Sequence, residues 1–452
     1  MKKDLTKIIG LLLFLQLISG GLIAQEPVAE ILFSKERGLY YENFDLTLST
    51  NVSNASIRYT IDGSNPANSL TATITPAPAT IRINPTNITG RDRAPGFIVR
   101  ACVEQGSVII SKIMTHTYIF PGLIGLLSAD GQKPGPGWPE ENYSNANQFF
   151  NYGMDPDVIN DPQYKDQITD ALRSIPTLSL VTDLKNLFDP DSGIYVNAQY
   201  HGAEWERPTS LELINADNSP GFQINAGLRI RGGWSRHNDN PKHAFRVFFR
   251  SEYGESKLDF PLFEDEGVDK FDKVDLRTSQ NYSWSFYGDN LNTMNRDVFS
   301  RDLQGETGNA YTRSRYYHLY LNGTYWGLFQ TQERSEASFA EEYFGGLRED
   351  YDVVKINIGD NWDVYQIEAT DGNLDAWRRL WDLCNIGFYT DEDYFKVQGL
   401  NTDGSLNPLY EKLVNVDNLI DYMLCTFYVG DFDGPVSNFI GNNGAGFSNY
   451  MF

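Results

Sequence analysis

The sequence predicts a multidomain chain: an all-β sandwich near the N-terminus, then an α+β domain whose first half is strand-rich and whose second half is helical. Three observations carry this. Residues 28 to about 120 are short alternating runs broken by Gly, Pro, Asn and Asp. From Ile175 to Phe249 runs of two-residue period recur, and further on the apolar spacing becomes that of helices. At 452 residues, 41% of them hydrophobic and 13% aromatic, the chain has material for the cores of two or three domains.

The first element is an export signal. Lys2, Lys3 and Lys7 precede an apolar run from Ile8 to Ile18, and the small residues Ser19, Gly20, Gly21 and Ala24 follow, so cleavage after Ala24 and secretion are expected. An uncleaved N-terminal anchor is the alternative. The run is short for a membrane span, and no later segment approaches eighteen consecutive apolar residues, so no stable span is expected. Cys102, Cys384 and Cys425 make neither a disulfide framework nor a metal spacing. A net charge of -23 repels nucleic acid and anionic membrane surfaces, whose binding needs clustered Lys and Arg. A nucleotide needs only a few local cations and stays open.

Residues 28–120 form the sandwich. In Ser56 to Ile61 the apolar Ile57, Tyr59 and Ile61 alternate with polar residues, as in a half-buried strand, and Asp62-Gly63 closes it with a turn. Further strands fall at Phe44 to Leu48, Ile81 to Ile83 and Phe97 to Val103. Together with Phe33-Ser34, Gly38-Leu39-Tyr40, the run from Ile57 to Pro66 and the closing Tyr118-Ile119-Phe120, the segment resembles the small β-sandwich at the C-terminus of chitobiases and β-hexosaminidases. That resemblance implies architecture more than activity; a glycan-binding role and a spacer or packing role both stay open. Residues 121–174, rich in Gly, Pro, Asn and Asp, read as a connector. Its aromatics Trp138, Tyr143, Phe149, Phe150 and Tyr152 predict packing on the next domain instead of free flexing.

The α+β domain opens with strands at Thr177 to Val181, Gly193 to Val196, Ser210 to Ile214, Gly227 to Arg231 and Ala244 to Phe249, spaced as a twisted antiparallel sheet. After Arg231 come Gly232-Gly233-Trp234-Ser235, and Lys242 opens the next strand. A glycine pair lets backbone N–H groups approach phosphate oxygens, and a neighbouring lysine adds a point charge. The same residues also suit a hairpin turn with a solvated basic edge. Helices are predicted at Asp289 to Leu303, Asp375 to Ile386 and Val416 to Val429, the last with Ile420, Met423, Leu424 and Phe427 on one apolar face. It feeds Asp431-Phe432-Asp433-Gly434-Pro435-Val436-Ser437-Asn438, where Asp433 and Asn438 have the spacing of an acceptor-orienting carboxylate and a metal-binding amide on one short loop. Asp and Asn also crowd ordinary turns. The five histidines show no zinc pattern, no G-x-S-x-G elbow occurs, and no carboxylate pair stands out for a glycosidase.

Taken together, Ile175-Pro176-Thr177, Gly193 to Asn197, Trp205 to Pro208, Arg229 to Ser235, Pro241 to Phe245, Leu319 to Gly327, Glu333-Arg334 and Gly430 to Asn438 resemble the CotH-like kinases, relatives of protein kinases named after a spore coat protein. The resemblance runs over residues 175–452. It implies ATP- and Mg²⁺-dependent phosphoryl transfer to hydroxyls of an unidentified secreted or surface protein. It makes Asp433 the general base, Asn438 a Mg²⁺ ligand, and Lys242 the phosphate lysine, with Arg231 and Ser235 shaping the same clamp. The partner of Lys242 stays open among Asp297, Asp302 and Glu306, and Glu333 reads either as a hinge position or as an ion-paired surface residue. One departure is expected to matter. The family places a second metal-binding Asp about two dozen residues beyond the first, and Gly441 to Phe452 contains none. The domain therefore reads as C-terminally incomplete, and as written should bind ATP·Mg²⁺ poorly. The alternative is a non-catalytic extracellular adhesion or matrix protein, in which a kinase-like scaffold carries a sandwich that binds glycan or a neighbouring protein.

Overall fold

A computed structural model describes residues 29–125, 131–140, 148–217, 219–280, 292–358 and 365–431. The export signal, Tyr143, and the stretch holding Asp433 and Asn438 lie outside the described residues.

Nine short strands build the N-terminal domain: β1 (Ile31–Phe33), β2 (Gly38–Leu39), β3 (Phe44–Thr50), β4 (Ser56–Thr60), β5 (Thr73–Pro76), β6 (Ala79–Ile83), β7 (Gly96–Gln105), β8 (Val108–Ile109) and β9 (Met114–Ile119). One sheet has the order β1-β3-β6, and the other β2-β9-β7-β4-β5 with β8 beside β7. Alternation decides what meets between them. Leu46, Leu48, Ile81 and Ile83 from the first sheet share a core with Ile57, Val99, Ala101 and Val103 from the second. The four strands expected from sequence are present within two residues of their ends. Gly63 takes φ +80° in the turn after β4, a backbone only glycine enters freely.

The connector joins the second core instead of spanning free. Trp138, Phe150 and Tyr152 are buried with Phe188, Tyr195 and Trp326. Two single-turn helices follow, α1 (Pro156–Ile159) and α2 (Ile168–Ala171).

The second domain is a closed barrel of seven strands: β10 (Thr177–Val181), β11 (Arg207–Ile214), β12 (Gln223–Arg231), β13 (Ala244–Phe248), β16 (Lys273–Arg277), β17 (Ser314–Leu321) and β18 (Thr324–Gln332). A small hairpin, β14 (Leu258–Asp259) and β15 (Lys270–Phe271), lies between β13 and β16. The order is β10-β11-β12-β13-β16-β18-β17, and β10 returns to β17. The expected twisted antiparallel sheet is thus closed on itself, with one parallel pair. β10 runs antiparallel to β11 but parallel to β17, from Thr177 opposite His318 to Leu180 opposite Leu321. All five residues of β10 are buried, so neither of its edges is left to water, and closure pairs the backbone groups an open edge would strand.

The expected strand Gly193 to Val196 is instead a series of turns after α3 (Leu184–Phe188). Its N–H groups go to carbonyls of the preceding segment, Ile194 to Asn186 and Tyr195 to Leu187, while Ile194, Tyr195 and Val196 plug the core. A short apolar run reads the same whether it is a strand or a plug. Helix α4 (Arg296–Glu306) starts later than Asp289, after Met294 at φ +63°.

Beyond the barrel come α5 (Ala337–Phe344), the hairpin β19 (Val353–Ile358) and β20 (Tyr365–Asp371), α6 (Asp375–Ile386), α7 (Asp391–Lys396) and α8 (Val416–Val429). α6 and α8 have the bounds expected from their periodicity. Asn415 caps α8 by accepting from the Asn418 N–H at 3.2 Å, and Gly430 ends it at φ +67°. The expected apolar face of α8 is not its docking face among the described residues. Ile420, Leu424 and Phe427 are half or more exposed, while Cys425 and Thr426 are buried. The helix is instead tied by its polar stripe to the loop after α4, with Asn309 donating to Asp421 and Asn418 donating to Asn309, each at 2.8 Å.

Candidate functional site

Strand alternation sorts each barrel strand into an apolar inner row and an outer row. Leu228 and Ile230 of β12, Phe245 and Val247 of β13, and Val274 and Leu276 of β16 point into the core. The alternate positions are then Arg231, Arg246, Asp275 and Arg277, which the pairing register brings side by side on adjacent strands. Arg231 Nε donates to Asp275 at 2.9 Å, and Arg246 grips the same carboxylate with Nε at 2.5 Å and Nη2 at 3.0 Å. Arg277 Nη1 reaches Asp297, in the first turn of α4, at 2.7 Å, and Gln332 Oε1 at 2.6 Å. Asp297 also accepts from Gln330 at 2.9 Å and from Arg301 at 3.1 and 3.2 Å. Four guanidiniums thus share two carboxylates, which leaves a formal surplus of two positive charges on this face.

The electrostatics follow from that crowding. Burial, then the neighbouring Arg277 and Arg246, push Arg231 down to about 10, outweighing Asp275, so it stays charged at neutral pH. Burial raises Asp275, but Arg246 and Arg231 outweigh it and hold the carboxyl below its ordinary value. The same balance, with Arg277 and Arg301 opposing burial, lowers Asp297. Planar guanidiniums suit phosphate oxygens in a way a point-charge lysine does not, because two N–H donors lie parallel on one fork.

The residues singled out from sequence fall in different places. Arg231 is on this face. Ser235 is buried in the loop after β12, with its hydroxyl donating to the Arg231 carbonyl at 3.2 Å. A Cβ on Gly232 (φ +110°) would lie 1.8 Å from that hydroxyl oxygen, so this loop position needs glycine. Lys242 precedes β13 by two residues instead of opening it. Its Nζ donates to the Asn151 carbonyl at 3.0 Å and stands 3.7 Å from the centre of the Trp326 ring. Burial pushes it down to about 7, and the aromatic face pulls the other way by favouring the charged amine. Among the described residues the Lys242 amine and the Arg231 guanidinium have no polar partner in common. Of the partners left open for Lys242, Asp297 is committed to arginines, and Asp302 and Glu306 are exposed. Glu333 is buried and ion-paired, 3.1 Å from Arg313.

Arg246, Asp275, Arg277 and Asp297 were not legible as a group. The signal was Arg246 between Phe245 and Val247 and Asp275 between Val274 and Leu276, but only the register shows that the charges meet. Among the described residues no group of three His, Cys, Asp or Glu could hold a metal ion, and no helix is long and apolar enough to cross a membrane.

Fold and site define a class: a β-sandwich fixed to a β-barrel that presents an arginine-rich face beside a helix. The family model described as CotH kinase protein matches residues 228–445 and spans every member of that face, and the model described as Fn3 associated matches residues 46–118. The chain carries a CotH-family domain over residues 228–445, preceded by an N-terminal β-sandwich. No curated protein matches it.

Proposed function

We propose that this protein is a secreted CotH-like kinase that transfers the γ-phosphoryl group of ATP to hydroxyls of a protein substrate. The observation that carries the reading is the Arg277–Asp297 pair on the surplus-cation face. Along the chain come a strand (β12), a glycine-containing loop, a second strand (β13), the interposed small hairpin β14–β15, a strand bearing a cation (β16) and a helix bearing its carboxylate (α4). Protein kinases use that order for a glycine-rich loop, the lysine of the third strand and the helix glutamate paired with it. In this assignment Arg277 and Asp297 take the roles of that lysine and glutamate.

The donor set fits a polyphosphate. Arg231, Arg246 and Arg277 would hold phosphate oxygens and offset their charge, which is most of what a phosphoryl-transfer enzyme must supply. Asp433 would orient the acceptor hydroxyl and take its proton, and Asn438 would ligate Mg²⁺, which when bound neutralises charge between the phosphates. Ser235 would fix the loop. For Lys242 to bind phosphate, its amine would have to leave the Asn151 carbonyl.

The test is transfer of labelled γ-phosphate from ATP·Mg²⁺ to the full chain itself and to a mixed protein acceptor. Asp433→Asn should lower transfer at least about 100-fold with an unchanged melting curve. Equal transfer by the variant and the parent would count against the assignment.

A further inference from the structure

The sandwich and the barrel meet across a buried polar seam. Glu212 of β11 is fully buried, and the sandwich supplies most of its partners. Thr117 of β9 donates its N–H at 3.0 Å and also its hydroxyl, and Arg37, between β1 and β2, lies 3.2 Å away. Ser179 of β10 completes the group, 2.9 Å from the Thr117 hydroxyl. A second patch joins Arg100 of β7 to Asp183 after β10 at 3.7 Å, and Asp183 accepts from the Asn65 N–H at 2.6 Å.

Backbone meets backbone beside these. Gly96 donates to the Gly323 carbonyl at 2.9 Å, and a Cβ on Gly96 would lie 2.8 Å from the Gly323 Cα. Apolar packing is shared too. Ile119 of the sandwich forms one buried cluster with Ile214 and Tyr320 of the barrel and Leu172 of the connector. Trp138, buried in the barrel core, donates its indole N–H to Asp92 of the sandwich at 2.9 Å.

A module that swings on a linker keeps a small, polar, hydrated contact with its neighbour. This seam has a carboxylate with no exposure, an apolar cluster drawn from both sides, and a glycine pair without room for a methyl group. Each feature belongs to the interior of one unit.

We propose that the β9 face of the sandwich is a permanent docking surface for the barrel of the same chain, and that the two unfold as one cooperative unit. Any ligand of the sandwich is then left to its other surfaces, and its binding would be felt by the barrel. This does not depend on phosphoryl transfer.

The tryptophans supply the test. All eight lie between residues 138 and 381, and the sandwich has none. Leu46 is fully buried in the sandwich core. In the full chain, Leu46→Ala should lower the midpoint of the tryptophan-fluorescence melt by roughly 5 °C, in step with far-UV circular dichroism. An unchanged fluorescence midpoint, with an earlier separate step in circular dichroism, would overturn the proposal. Ile81→Val gives the same readout with a smaller shift if Leu46→Ala does not fold.

Discussion

Asp275 is the residue on which the cationic face balances. It is nearly dry, and it neutralises Arg231 and Arg246, which keep about a fifth of their side-chain surface in water (22% and 18%). Asp275→Asn should cost about 2–3 kcal/mol in urea unfolding, less than a fully dry pair because the arginines stay partly hydrated. An anion can substitute for the lost charge, so pyrophosphate should raise the melting temperature of the variant more than that of the parent. Equal shifts would mean that the face does not bind phosphate. The pH dependence has a definite sign. The carboxyl is held below its unfolded value, so its contribution is present above about pH 4 and is lost as the pH falls through the folded value. The parent should therefore lose stability more steeply than the variant on acidification below that pH. Arg231 was visible in the sequence because it sits beside two glycines. Asp275 and Arg277 were not, because nothing local marks a charge on a strand as facing another strand's charge.

Among the elements, α6 and α8 were read to the residue because a long apolar period with a cap at one end leaves little choice. Among the described residues α8 is held by its polar side, through hydrogen bonds from Asn309 to Asp421 and from Asn418 to Asn309, and its apolar face is left exposed. Gly430 sets where that helix stops and where the segment toward Asp433 begins. Gly430→Ala should cost about 1 kcal/mol, because a Cβ opposes the left-handed backbone at φ +67°. Urea melts followed by circular dichroism at 222 nm would show it, and a loss below about 0.3 kcal/mol would mean that the turn is not held in this form. The barrel's closing pair was beyond sequence reading for another reason. Alternation marks a strand's faces and says nothing about which edges meet.

For the whole molecule, a net charge of -23 surrounds a face with surplus arginine. On the proposed function, that field draws basic acceptors toward the molecule, and screening should weaken the attraction. Phosphorylation of a lysine-rich peptide should fall several-fold between about 50 and 300 mM salt, while that of an acidic peptide should hold steady or rise. Equal salt dependence for both would remove the steering argument.

The parallel contact of β10 with β17 also bears on synthesis. The partners Thr177 and His318 are 141 residues apart in the chain, while the pairings inside the sandwich close within residues 31–119. During synthesis all the sandwich's own strand partners are made early, but β10 must wait for residues 314–332 before the barrel can close and complete the unit. Through that interval the seam around Thr117 and Ile119 lacks Tyr320, the last of its barrel partners to be made.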